Sequence, residues 1–221
     1  MNHPEASPVR VLVMTAVQAE KDAVVRGLGS TRHIDVALAG VGAAAAAANT
    51  MAALCSGSYD LVISAGIGGG FTGRAEVGSL VVANEIIAAD LGAETPEGYC
   101  SVDELGFGSA RVPAESGLSR RWTEALREAG LQVESGPILT VTTVTGTAET
   151  AARLAARVPG ARSEAMEGYG VAIAAQLRGV PCLELRAISN AVGPRDKSAW
   201  RIQDALTVLE AASAILPEVL N

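Results

Sequence analysis

Histidine and aromatic side chains are nearly missing from this chain of 221 residues, which holds two of the first and seven of the second. His3 and His33 both lie in polar or loop-like sequence, so neither histidine catalysis nor a His-based metal site is expected. With so few rings, the core must be built from Ala, Val, Leu and Ile. Cysteine is scarce too. Cys55, Cys100 and Cys182 share no close spacing, and an odd, scattered set suits a reducing cytoplasm better than a disulfide framework. No stretch reaches about 18 uninterrupted apolar residues, and residues 1–8 lack the basic-then-apolar order of a signal peptide, so no membrane partner is expected. Seventeen basic residues against 24 acidic ones leave a net charge of −7. The basic residues are scattered, which argues against a nucleic-acid partner. Chemistry must therefore rest on carboxylates and amides, and nothing calls for a cofactor.

What the chain does have is alternation. Residues 1–8 read as a flexible tail, and 9–221 as one domain of a size that can bury a good core. Strands are expected over Val9–Met14, His33–Ala39, Leu61–Ala65, Ser79–Ala89, Pro137–Val144, Ala161–Ala165 and Leu183–Ile188. His33–Ala39 alternates enough to lie near an edge, and Asn84-Glu85 interrupts its strand. Helices are expected over Ala19–Leu28, Ala43–Leu54, Leu118–Ala129, Thr147–Arg157 and Met166–Arg178, the second opening on six consecutive Ala. Gly92–Gly117 carries five Gly and two Pro without periodicity, and a stretch so long and irregular reads as a functional or partner-covered loop. The pattern predicts an α/β fold: a single three-layer αβα domain with a mostly parallel or mixed central sheet.

The stretch LELRAISNAVGPRDKSAW, 183–200, concentrates the signal. Leu183–Ile188 is apolar except for Glu184 and Arg186, as in a strand covered on both faces. Gly193-Pro194 cannot continue a strand, and Asp196 is placed to cap a final helix carrying Ile202, Ala205, Leu206, Leu209, Ala212 and Leu216. Asn190 then stands at the carboxyl end of a buried strand, where it either closes a turn or meets a ligand. Glu167 opens an almost wholly apolar helix, where it either only complements the dipole or is held by the helix's free amides while accepting from a ligand's hydroxyls. Glu20, the glycine run 66–70, Glu167 and Asn190 each follow a predicted strand, so all four should converge on one rim. Gly40-Val41-Gly42 fits a dinucleotide fingerprint weakly, but Asp60 precedes its strand and would lie at the wrong edge to meet a ribose.

The order AVQAE (16–20), AGIGGGF (65–71), EAMEGYGVA (164–172) and RAISN (186–190) resembles the purine nucleosidase branch of the nucleoside phosphorylase superfamily. Within that branch, LGAETPEG (91–98), DELGFG (103–108) and SNAVGPRDKSAW (189–200) are similar to the futalosine hydrolase family. The resemblance implies N-glycosidic hydrolysis of a nucleoside. It casts Glu20 as activator of the attacking water and Glu167 as the ribose binder, with Met166 packed on the sugar. Gly68 and Gly69 would approach the sugar and base, and Val144 and Thr145 would form the purine wall. Adenine-releasing relatives carry Asp where this chain has Asn190, so a 6-oxopurine is expected and adenine release is the alternative. Phosphorylases carry a Gly-x-x-x-Arg segment where this chain reads TAVQAE (15–20), which disfavours phosphorolysis; a non-catalytic nucleoside binder is the other rival. An extended 5′ chain ending in an aryl carboxylate would need a cation and apolar walls. Arg195 is the candidate cation unless it pairs with Asp196 or braces the loop. Phe71 and Trp200 are the candidate walls unless Trp200 is helix core. As in related nucleosidases, a second copy is expected to cover the site, giving a dimer or a dimer of dimers.

Overall fold

The computed structural model describes residues 8–220; the expected tail, 1–8, lies outside them except for its last residue. In chain order the elements are β1 (Val11–Thr15), α1 (Gln18–Leu28), β2 (Ile34–Leu38), α2 (Ala43–Ser56), β3 (Leu61–Gly70) and β4 (Leu80–Ala88). There follow β5 (Gly92–Thr95), β6 (Gly98–Ser101), β7 (Arg111–Pro113), α3 (Ser116–Glu128), β8 (Val133–Thr140) and α4 (Ala148–Arg157). The chain ends with β9 (Ser163–Ala165), α5 (Gly168–Leu177), β10 (Cys182–Ala191) and α6 (Ile202–Leu220).

The main sheet runs β10-β4-β8-β9-β3-β1-β2, with β7 added alongside β4. Pairing is mixed: β3 lies parallel to β1 and β10, whereas β4 runs antiparallel to β10. Because β10 pairs β3 as well as β4, the strands β3, β10, β4, β8 and β9 close on themselves. That closure leaves little of the inner strands facing water, and Val62, Ile63, Leu80–Ala83, Leu183 and Leu185 are fully enclosed. Such strands read as continuous apolar runs. Helices α1, α3 and α6 pack together on one side, and α2 against α5 on the other. Aliphatic residues supply nearly all of the main core cluster, with Trp122 fully buried among them. No helix among the described residues is long and apolar enough to cross a membrane.

Several boundaries differ from the sequence expectation, for reasons of pairing. The glycine run does not end β3. It stays in the ladder, with Gly68, Gly69 and Gly70 opposite Ile188, Asn190 and Ala191, and Gly69 and Gly70 opposite β9 on the other side. Likewise β10 runs on through Asn190. Ser189 is an extra residue there, a bulge that shifts the register and re-aims the next side chain. β8 begins earlier than Pro137 because Val133–Gly136 pair with Leu80–Ala83. Gly92–Gly117 is not wholly irregular: it holds the β5–β6 hairpin, β7 and the first turn of α3. Asp196 caps only a short 3-10 turn, Lys197–Ala199, through Ser198, and α6 starts at Ile202.

Candidate active site

A cavity of about 290 Å³ opens at the carboxyl ends of β1, β3 and β10. Its floor comes from side chains that the sequence scatters over 170 residues. Glu20 sits in the first turn of α1, yet it is 3 % exposed. Its Oε2 accepts from the amides of Ala16 (2.9 Å) and Val17 (3.2 Å), and its Oε1 from Ile67 N–H (2.9 Å). The carboxylate is therefore bolted to both β3 and the β1–α1 turn. Burial holds its pKa above the usual carboxylate value, against the opposing pull of Arg186 and of the backbone donors.

Glu167 is buried just ahead of α5. The expectation that the amides of its own helix hold it is corrected: it makes no cap bond. Instead Oε1 accepts from Gly42 N–H at the head of α2 (3.2 Å), and Oε2 faces Arg186 Nη1 (3.4 Å). The two helices can meet so closely because residue 170 is Gly; a Cβ there would strike the Ala43 carbonyl. Gly42 thus serves a carboxylate.

Arg186 and Glu184, which broke the apolar run of β10, are both fully buried. Arg186 donates from Nε to Glu184 Oε1 (2.8 Å), from Nη1 to Glu167, and from Nη2 to Ser64 Oγ (2.8 Å). Two carboxylates and a hydroxyl therefore hold one guanidinium, whose charge also reaches Glu20. Sequence reasoning left this cluster unassigned, although two charges at i and i+2 in a covered strand were its visible signal.

Other residues expected at the site stand around the opening. Asn190 Oδ1 accepts from Ser189 Oγ (2.8 Å), and Nδ2 donates to the Ala191 carbonyl (3.0 Å). Val144 is exposed at the mouth, whereas Thr145 is a buried part of the lining. The Thr145 amide donates to Glu164 Oε1 (2.8 Å), and its hydroxyl donates to Glu164 Oε2. Glu164, also missed in the sequence, lines the cavity, and burial raises its carboxyl above the usual range despite those two bonds. Gly68 and Gly69 line the wall between them. A Cβ on Gly68 would come within 2.9 Å of the Glu164 carbonyl oxygen and Ser163 Oγ, and one on Gly69 within 2.9 Å of Val192 Cγ2.

Met166, Arg195, Trp200 and Ile202 complete the lining. Arg195 does not pair with Asp196. Its guanidinium lies 5.0 Å from the centre of the Trp200 ring, a cation–π contact on an exposed loop. Phe71 is a correction. It is 4 % exposed and packs with Ile87, Leu139, Val141 and Leu154 in a separate apolar cluster, away from the cavity. Because β3 continues through Gly70, Phe71 falls beyond the strand, where its amide bonds the Arg162 carbonyl.

A family model described as the phosphorylase superfamily matches residues 13–220. A futalosine hydrolase of Streptomyces coelicolor is 50 % identical over 96 % of this chain and 97 % of its own. One from Acidothermus cellulolyticus is 48 % identical over 94 % of this chain and 90 % of its own. Among solved structures, the 5′-methylthioadenosine/S-adenosylhomocysteine nucleosidase of Helicobacter pylori, crystallised with butyl-thio-DADMe-Immucillin-A, superposes with a TM-score of 0.81. That likeness covers 97 % of this chain and 98 % of the other at 17 % identity, and so concerns the fold.

Proposed function

The chain belongs to the phosphorylase superfamily and, within it, to the futalosine hydrolases, and from that premise we propose how its cavity breaks an N-glycosidic bond. The reaction is hydrolysis of futalosine to hypoxanthine and dehypoxanthine futalosine, a step of menaquinone biosynthesis. The observation that carries the assignment of roles is the convergence of Glu20, Glu167 and Asn190, from three distant segments, on one cavity.

As the C1′–N9 bond lengthens, its electron pair passes to the purine and the sugar takes on oxocarbenium character. Glu20 takes a proton from water as the water oxygen bonds to C1′. Burial makes this carboxylate a stronger base than one in solvent. Glu167, held from behind by Gly42 N–H and Arg186, accepts from the ribose hydroxyls, with Met166 against the sugar face. Gly68 and Gly69 let the strand backbone approach the nucleoside, and Val144 with the Thr145 backbone forms the purine wall. Asn190 has no proton to give up. The departing base takes its proton at the imidazole nitrogen from solvent, which balances the proton Glu20 removes from the attacking water. The Asn190 amide donates to the 6-oxygen of hypoxanthine and its carbonyl accepts from that protonated nitrogen. An ionised Asp would set like charge against the 6-oxygen, a penalty on the order of 1–3 kcal/mol.

At about 290 Å³ the cavity lies at the small end for ligand sites, so the 5′ chain must run out of it. Arg195 on the rim meets the terminal carboxylate, and Trp200 walls the aryl group. A second copy completes the site, as a dimer or dimer of dimers. Support comes from Phe107, 82 % exposed at the tip of the 102–110 loop, which leaves a large apolar ring in water. The enzyme works without a cofactor, in the cytoplasm. Incubation of the pure protein with futalosine, with and without phosphate, tests the reaction. Equal release of hypoxanthine in both is expected, and release that requires phosphate would make the protein a phosphorylase. Sedimentation at micromolar concentration showing only the monomer mass would remove the second copy.

A further inference from the structure

We propose that Glu184 is a positioning residue for this site: it clamps Arg186 at Nε and so aims the guanidinium that faces both Glu20 and Glu167. The proposal rests on the hydrolytic reading above, in which Glu20 is the base.

Two glycines make room for the clamp. Glu184 and Arg186 stand opposite Ser64 and Gly66 in the β3–β10 ladder, so both side chains leave the same face of the strand. A Cβ on Gly66 would sit 2.5 Å from Glu20 Oε1 and 2.8 Å from Arg186 Nη1. One on Gly168 would collide with the Glu184 carboxylate itself. Side chains are thus left out at two places, and the room is filled by Glu184, Arg186 and Glu20 in sequence.

Stability alone does not account for this arrangement. A fully buried ion pair stabilises little over an apolar pair of the same volume unless every polar atom is satisfied. Here Glu184 Oε2 is buried with no hydrogen-bond partner, while Oε1 alone takes the Nε–H bond. The guanidinium has its three sides committed in turn, to Glu184, Glu167 and Ser64. Without the Nε anchor, rotation about the last side-chain bonds would turn Nη1 away from the two carboxylates at the cavity floor.

The clamp also governs charge. The groups facing Glu184 are Arg186 and Cys182 on its own strand, Glu167 at the head of α5, and, across the guanidinium, Glu20 on α1. An ionised Glu184 draws on the Arg186 charge that would otherwise stabilise the Glu20 carboxylate. Glu20 is kept basic as a result. Burial lifts the Glu184 carboxyl to about 6, so its proton comes and goes around that pH.

Glu184→Gln tests this, because Gln keeps the volume and an acceptor for Nε while removing the charge. The acid limb of the kcat/KM profile for futalosine should move down by about one pH unit. The plateau kcat should fall roughly tenfold, since a weaker base removes the proton less well, with KM within about twofold. An unchanged acid limb with unchanged kcat overturns the proposal, even if the variant melts earlier. Should the variant fail to fold, the wild-type protein decides. Its Arg186 Nε–H resonance is expected to shift with a midpoint near pH 6, and a flat resonance through that range overturns the clamp. Wild-type enzyme that releases no base from futalosine removes the hydrolase reading alone, since the Nε–H titration still reports on the Glu184–Arg186 contact.

Discussion

The floor of the cavity and its rim solve different problems with different materials. On the floor, Glu20, Glu167, Glu184 and Arg186 are all buried, and they are fixed by strand backbone, by the heads of two helices and by each other. On the rim, Arg195 and Val144 are exposed and Asn190 and Trp200 half-buried, on the last residues of β10 and on loops. Charge that must act on a developing cation needs low dielectric and fixed distances, which only packed elements provide. Recognition of a long substituent needs reach and specificity, and loops on a rigid scaffold supply both. Chemistry and selectivity should therefore fail separately when each region is altered.

The largest effect belongs to the floor. Glu20→Gln should lower kcat by about 10²–10⁴-fold, the range for loss of a general base, and Glu167→Gln should also remove most turnover. Circular dichroism of both variants should match the native protein, because Gln keeps the volume and its one carbonyl oxygen still accepts from the donors on one side of each carboxylate. Near-native turnover in either would take that residue out of the mechanism. On the rim, Asn190→Asp should leave turnover possible but move preference from hypoxanthine toward adenine nucleosides. The ratio of kcat/KM for the two should change by roughly 10- to 100-fold, the worth of one buried hydrogen bond made or left unpaired. A ratio that stays put would show that the base is read elsewhere.

Much of the floor was legible as separate letters. Glu20 on the floor and Asn190 on the rim stand at the carboxyl ends of β1 and β10, both parallel to β3, and that placement alone puts them on one edge of the sheet; Glu167 reaches it from β9, which runs antiparallel to β3. Their partners were not legible. Gly42 lies 125 residues from Glu167, and Ile67 lies 47 from Glu20, so these bonds exist only once α2 and β3 are in place. Glu184 and Arg186 were visible as charges in an apolar strand, but no local pattern says which carboxylates a buried Arg will meet. The glycine run misled because Gly is usually a strand breaker; here each lost Cβ is a steric requirement, and the strand continues. That single error carried Phe71 into the cavity on paper and under the β8–α4 region in the folded chain. The helix expected to start at Asp196 failed for a similar local reason, since the Asp196 side chain is used up on Ser198.

Arg195→Met separates rim from floor more gently. Arg195 is exposed and rests on Trp200, so its loss should not disturb the buried charges. With a carboxylate partner in the bound state, kcat/KM for futalosine should fall roughly tenfold, as expected for one solvent-accessible charged hydrogen bond. Inosine, which lacks the 5′ chain, should be cleaved as before. Equal losses on the two substrates would mean that Arg195 only braces the loop over Gly146, where its Cδ packs.

The smallest effect is thermodynamic, and it again divides the two regions. Glu20, Glu164 and Glu184 all hold their protons more tightly in the folded protein than a free carboxyl does, because burial disfavours the charged form. A carboxyl with a raised folded pKa contributes stability that is fully present below its unfolded value. That contribution is lost as pH rises through the folded value. For Glu184 the window runs from 4.5 to about 6, and the full loss across it is about 2 kcal/mol. At roughly 2–4 °C per kcal/mol for a chain of this size, the melting temperature should decline by several degrees as the pH is raised across that window. Glu184→Gln has no such proton to lose, so its melting curve should be flatter there and should overtake the wild type at the upper end. Arg195→Met should keep the wild-type slope, since it touches none of the three buried carboxyls. A rim variant that flattened the slope, or a Glu184→Gln that kept it, would show that the floor and the rim are one electrostatic unit after all.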